Sequence, residues 1–256
     1  MPTGAFTEYA DVAQIALYVF WIFFFGLVFY LRREDRREGY PLEFENGRLE
    51  RTGPILTPGP KTYVKPHGHG TYTAPSFKRD ERPVLANPTH PWPGAPLEPT
   101  GDPMEDGVGA ASWVERDDVP ELTREGAPMI VPMRAAEGYS IADGSRDPRG
   151  MPVIAADGQT VGQVKDVWVD RADQMARYLE VDLEGGGGPR LVPIVAARMS
   201  LDHDEWKVAS IMSKHFPRVP TTKDDKQITL LEEERIMAYF AGGRRYADPS
   251  RLEPLV

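Results

Sequence analysis

Val12-Ala-Gln-Ile-Ala-Leu-Tyr-Val-Phe-Trp-Ile-Phe-Phe-Phe-Gly-Leu-Val-Phe-Tyr-Leu31 decides the architecture: 20 residues without a charge. As a helix rising ~1.5 Å per residue, this run spans ~30 Å, the thickness of a bilayer's hydrocarbon core. From Phe20 to Phe25 the aromatic residues occupy the whole circumference, which a helix packed by one stripe in a soluble core does not need. A cleaved signal peptide is disfavoured. Residues 1–11 contain no Lys or Arg, and the run is followed by Arg32-Arg33 instead of a small-residue cleavage site. Arg32, Arg33, Arg36 and Arg37 follow the span while only Glu8 and Asp11 precede it, so the positive-inside rule expects the body in the cytoplasm and the N-terminus outside.

Working outward, the net charge of −9 gives no basic face for gripping phosphate backbones, which argues against a nucleic-acid partner. With no cysteine there are no disulfides, thiolate metal sites or cysteine nucleophile. Residues 39–110 are rich in Pro and Gly, with short extended runs at Thr62-Tyr63-Val64 and Thr71-Tyr72-Thr73. Proline fixes φ and removes a donor, so an ordered but irregular segment is expected, with a disordered linker as the plainer alternative. Its aromatic and apolar residues Tyr63, Val64, Tyr72, Phe77 and Trp92 suit an extended chain lying on a partner.

After Gly150 the pattern turns to short strands: Pro152–Ile154, an Asp157-Gly158 turn, Val161–Val169, Arg177–Leu183, Arg190–Val195 and Trp206–Ala209. This spacing predicts a small antiparallel barrel. Thr229 and Glu232 stand at capping-box spacing, Ile236, Met237 and Phe240 form an apolar stripe, and Gly242-Gly243 is expected to end the helix. The fold expected is thus one N-terminal transmembrane helix plus a mostly β cytoplasmic domain with a C-terminal helix. Its divisions are an outer 1–11, a span 12–31, an extended segment 32–110 and a β domain 111–256.

Asp166-Val-Trp-Val-Asp170-Arg-Ala-Asp173 carries the chemistry, with acids at both ends of a strand and in the following turn, balanced by Arg171 and Arg177. Burial and like-charge neighbours lift a carboxyl's pKa toward working pH, where it can take and release a proton. Asp170 and Asp173 are the leading candidates. The plainer reading is a solvated turn capped by Asp170. Glu232, Glu233 and Glu234 read as a solvated helix face in which Glu232 caps, or as part of an acidic surface around the same path. His67-x-His69 is a metal pair only if a third ligand arrives, and otherwise a solvated loop. No phosphate loop, nucleophile elbow or metal spacing stands out, so a free-standing enzyme is not expected.

Leu31-Arg-Arg-Glu-Asp-Arg-Arg-Glu-Gly-Tyr-Pro-Leu42, Pro99-Thr-Gly-Asp-Pro-Met104, Asp166–Asp170, Arg177-Tyr178-Leu179-Glu180, Leu230–Glu234 and Ala241–Gly243 together resemble the H subunit of the purple-bacterial photosynthetic reaction centre. Asp157-Gly-x-x-Val-Gly-x-Val164 alone is similar to the wider PRC-barrel group. The resemblance implies a non-catalytic subunit of the intracytoplasmic (chromatophore) membrane that binds no pigment itself. It would cap the L and M subunits on their cytoplasmic face, with lipid around its span and a cytochrome subunit and antenna as further neighbours. The complex would contain bacteriochlorophyll, bacteriopheophytin, quinones and non-haem iron. Protons would pass to the secondary quinone through Asp173, Asp170, Glu121, Glu125, Glu233 and Arg177. Asp173 matches the family's relay carboxylate, a glutamate in better-known members. The stretch matching the family's proton entrance, Glu121–Pro128, has no histidine, which leaves Glu121 and Glu125 as acceptors. The alternative is a membrane-tethered barrel that recognises another cytoplasmic partner.

Overall fold

A computed structural model describes residues 11–44, 48–49, 57–76, 78, 80–200 and 202–252. Phe77, Glu8 and the rest of the outer segment 1–10 lie outside the described residues. The chain divides into two compact units, residues 1–80 and 81–256.

In the first unit, α1 (Val12–Glu34) starts at Asp11, whose carboxylate accepts from the amide of Gln14 at 2.8 Å. The helix runs on into a 3-10 turn, Asp35–Arg37, and is long and apolar enough to cross a membrane. None of its residues is buried. Arg37 is more than a flanking charge: it is buried, pairs with Glu34 at 2.9 Å, and donates to the carbonyls of Gly59 and Ala74 at 2.8 Å. The expected extended runs pair as a hairpin, β1 (Lys61–Val64) with β2 (Thr71–Ala74).

The second unit opens with irregular chain holding a short pair, β3 (Ala86–Pro88) with β4 (Leu97–Pro99), and one turn of helix, α2 (Pro103–Asp106). A seven-stranded sheet follows: β5 (Ile130–Pro132), β6 (Pro152–Ile154), β7 (Thr160–Asp170), β8 (Met175–Leu183), β9 (Pro189–Pro193), β10 (Ala197–Ser200) and β11 (Glu205–Val208). Its order is β10-β11-β6-β7-β8-β9, with β5 beside β7. The Asp157-Gly158 turn joins β6 to β7 as the sequence predicts. The ladder between the end strands β9 and β10 is open among the described residues. A three-residue 3-10 turn, Ile194–Ala196, nevertheless joins them.

Three strand expectations change. β5 and β10 are additional, β11 and β6 run parallel, and the run expected to reach Val195 ends at Pro193. β7 does not alternate cleanly either. Register shifts between Val164 and Asp166 and between Trp168 and Val169 re-aim the strand, and with both faces covered here Asp166 through Asp170 are all buried.

Trp168, Leu179, Val181 and Val192 fill the sheet's side of the core, and Ile236 and Phe240 of α3 (Leu230–Tyr246) close it. Each such buried side chain contributes about 1.5–3 kcal/mol. Met237, expected on that stripe, is 41% exposed. Nor does Gly242-Gly243 end the helix, which continues to Tyr246. The glycines are close-packing positions: a Cβ on Gly242 would lie 2.4 Å from that of Ala111, and one on Gly243 2.2 Å from Ile211 Cγ2.

Candidate functional site

β7 ends at Asp170, fully buried between β5 and β8, and its carboxylate organises the turn to β8. Oδ1 accepts from the amides of Ala172 at 2.9 Å and Asp173 at 3.0 Å. Oδ2 meets Arg177 at 3.1 Å through both Nε and a terminal nitrogen. Asp173 stands outside, its side chain 61% exposed, with Oδ2 3.5 Å from the same guanidinium. Arg177 therefore joins a buried carboxylate to an exposed one. Although burial disfavours its charge, the hydrogen bond to Asp170 holds its pKa above the ordinary arginine value.

The neighbouring residue on β8 reaches another acid. Tyr178 is buried and its hydroxyl donates to Glu233 Oε2 at 3.0 Å. Glu233 sits in the first turn of α3, whose start is tied to the segment before β5. There Leu230 donates its amide to the Val119 carbonyl at 3.0 Å, and Pro120 bridges Thr229. Glu121 follows directly, exposed, its carbonyl taking the Met129 amide at 2.7 Å. Arg171 fastens this segment to the turn through the Pro128 carbonyl.

Burial pushes the Glu233 carboxyl above the usual glutamate value. The Tyr178 hydrogen bond works against that rise, the charge of Glu121 adds to it, Arg177 opposes it, and Asp170 adds again. Burial, and then the charge of Glu233, drive the Tyr178 phenol far up, so it remains a donor. Asp170, Asp173, Arg177, Glu121 and Glu233 are thus electrostatic neighbours. Glu125 is exposed in the turn beyond, and no ion pair or side-chain hydrogen bond joins it to the others among the described residues.

A family model described as photosynthetic reaction centre, H-chain N-terminal region, matches residues 4–135, and a PRC-barrel domain model matches residues 141–211. The chain belongs to the reaction-centre H-chain family. As an H-chain it is a membrane-anchored subunit that associates with other reaction-centre subunits. Glu121 falls in the first match and Asp170, Asp173, Arg177 and Tyr178 in the second, while Glu233 lies beyond both.

The H-chain also corrects the reading of Glu232, Glu233 and Glu234 as one solvated face. Successive helical residues point ~100° apart. Glu232 is buried and receives the amides of Thr229 at 2.9 Å and Lys223 at 2.7 Å. Glu233 takes Tyr178, and Glu234 pairs with Arg116 at 3.0 Å.

Asp166 likewise parts company with Asp170. It lies 3.0 Å from Arg134, which reaches Glu180 at 2.5 Å. Glu180 also takes Lys165 at 2.9 Å and the Trp168 indole at 2.9 Å. Burial would raise the Glu180 pKa, but the bonds from Lys165, Arg134 and Trp168 outweigh it and hold the carboxylate below its usual range. This is a fixed anion. Sequence reasoning missed both Arg134 and Tyr178, which reach partners 46 and 55 residues away. Only Tyr178 left a sign, as a polar-tipped aromatic on a strand whose neighbours are core.

Glu233 gives a stability prediction. A carboxyl whose folded pKa is raised binds its proton more tightly folded than unfolded. Its contribution is therefore present below the unfolded pKa and is lost as pH rises through the folded one. Glu233→Gln keeps an acceptor for Tyr178 and does not titrate. Its melting temperature relative to wild type is expected to rise from acid to neutral pH, and a difference flat with pH would remove the perturbed carboxyl.

Proposed function

We propose that this H-chain caps the cytoplasmic face of the pigment-binding L and M subunits, N-terminus in the periplasm, and passes protons toward the secondary quinone. The arginines after α1 favour that topology. The observation that carries the relay is Glu233: a largely buried carboxyl with a raised pKa, near the exposed Glu121 and linked through Arg177 to the exposed Asp173.

Reducing a quinone to a quinol consumes two protons, and a quinone beneath a cap receives them only through titratable side chains or ordered water. In this reading Asp173 and Glu121 take protons from solvent, with Glu125 as an outer acceptor. Burial favours the neutral form of Glu233 and so raises its pKa, which suits a group that takes up and releases a proton. Asp170 and Arg177 hold the turn and balance its charge. Pigments, quinones and non-haem iron belong to the partner subunits.

The test is flash-induced kinetics on the purified complex carrying Glu233→Gln. The first electron transfer to the secondary quinone is expected unchanged, and proton uptake with the second transfer slowed. Unchanged uptake across pH 6 to 9 would exclude Glu233 from the path.

A further inference from the structure

A cavity of about 330 Å³ is lined by Trp168, Glu180, Gly187–Leu191, Thr221–Lys223 and Asp225, none of them in the acidic turn. Its two lining acids share Arg134, which meets Glu180 and lies 4.0 Å from Asp225, Lys165 also meets Glu180, and Lys223 pairs with Asp118. Arg190 is 9% exposed and makes no ion pair among the described residues. Its terminal nitrogens reach only carbonyls, those of Gly187 at 2.7 Å, Gly188 at 3.4 Å, Pro189 at 3.1 Å and Pro217 at 2.9 Å.

The Nε of Arg190 is buried with no partner. A buried guanidinium facing carbonyl dipoles without a counter-charge is costly, and a buried donor left unmade asks for an explanation. Burial accordingly pulls its pKa below the ordinary arginine value.

More donors border the same space. Among the described residues, the amides of Gly187 and Gly188 and the hydroxyls of Thr221 and Thr222 make no hydrogen bond within the chain. Gly188, on the cavity wall, has a φ of +74°, a backbone conformation that L side chains rarely adopt. A guanidinium, hydroxyls and loop amides together suit an oxyanion such as phosphate, which has acceptor oxygens for several donors at once.

We propose that this cavity binds a phosphate group, as inorganic phosphate or as the phosphoryl end of a small soluble ester, with Arg190 as its counter-charge. The site is independent of the proton relay.

Inorganic phosphate is the probe, titrated by ³¹P line broadening into the full chain in detergent at constant ionic strength made up with chloride. Saturable one-site binding is expected below about 10 mM. Arg190→Gln is expected to weaken it by about tenfold or more, and Thr222→Val by a few-fold. Competition by glycerol phosphate would assign the site to esters as well, and its absence to the bare ion. Phosphate that fails to saturate overturns the proposal, as does unchanged affinity in folded Arg190→Gln. Where Arg190→Gln does not fold, unchanged affinity in Thr222→Val overturns it.

Discussion

Asp173→Asn is expected to leave the first electron transfer to the secondary quinone intact and to slow the proton-coupled second transfer by about tenfold to a hundredfold. The substitution keeps the shape of an exposed side chain, so packing changes little. It removes the outermost titrating group beside Arg177. The slowing should grow as pH rises, because fewer alternative groups then hold a proton to give. Small weak acids in the buffer should restore part of the rate by carrying protons through water. Flash kinetics with Asp173→Asn alone and combined with Glu121→Gln separates two accounts. A single mutant like wild type and a slow double mutant means parallel entry through Glu121. Wild-type rates in both would leave Asp173 as a turn residue only.

The second large effect is on stability. Asp170→Ala is expected to cost about 2–4 kcal/mol, measured by denaturant unfolding of the full chain in detergent. Asp170 is 0% exposed and uses both oxygens, so truncation orphans the amides of Ala172 and Asp173 and leaves Arg177 without its buried partner. Arg177 is itself 43% exposed, which lets water take up part of its charge and keeps the cost below that of a fully buried pair. Asp170→Asn retains an acceptor for the two amides and should cost less. Amide hydrogen exchange at Ala172 and Asp173 would speed up in Asp170→Ala. A loss under about 0.5 kcal/mol would mean that the turn holds itself.

The two substitutions divide the acids of one turn into different roles, although residue type alone treats them alike. Spacing placed Asp170 and Asp173 together with Arg177, because all three belong to one hairpin. It also grouped Asp166 with them, wrongly. A register shift in β7 sends Asp166 to Arg134, which no local pattern announces.

What the sequence by itself determined was local. An uncharged apolar run of helical length, an Asp-Gly turn between alternating strands, and a Thr-x-x-Glu capping box each draw on neighbours a few residues away, and α1, the β6–β7 hairpin and the start of α3 followed. Tertiary structure decided whatever depends on residues distant along the chain. That includes the addition of β5 and β10, the parallel β6–β11 pair, the Tyr178–Glu233 bond, and the burial that raises the Glu233 pKa. Gly242-Gly243 shows the difference most plainly. A glycine pair reads as a helix end because it lacks side chains, yet here Ala111 and Ile211 occupy the space those side chains would need, and the helix runs on.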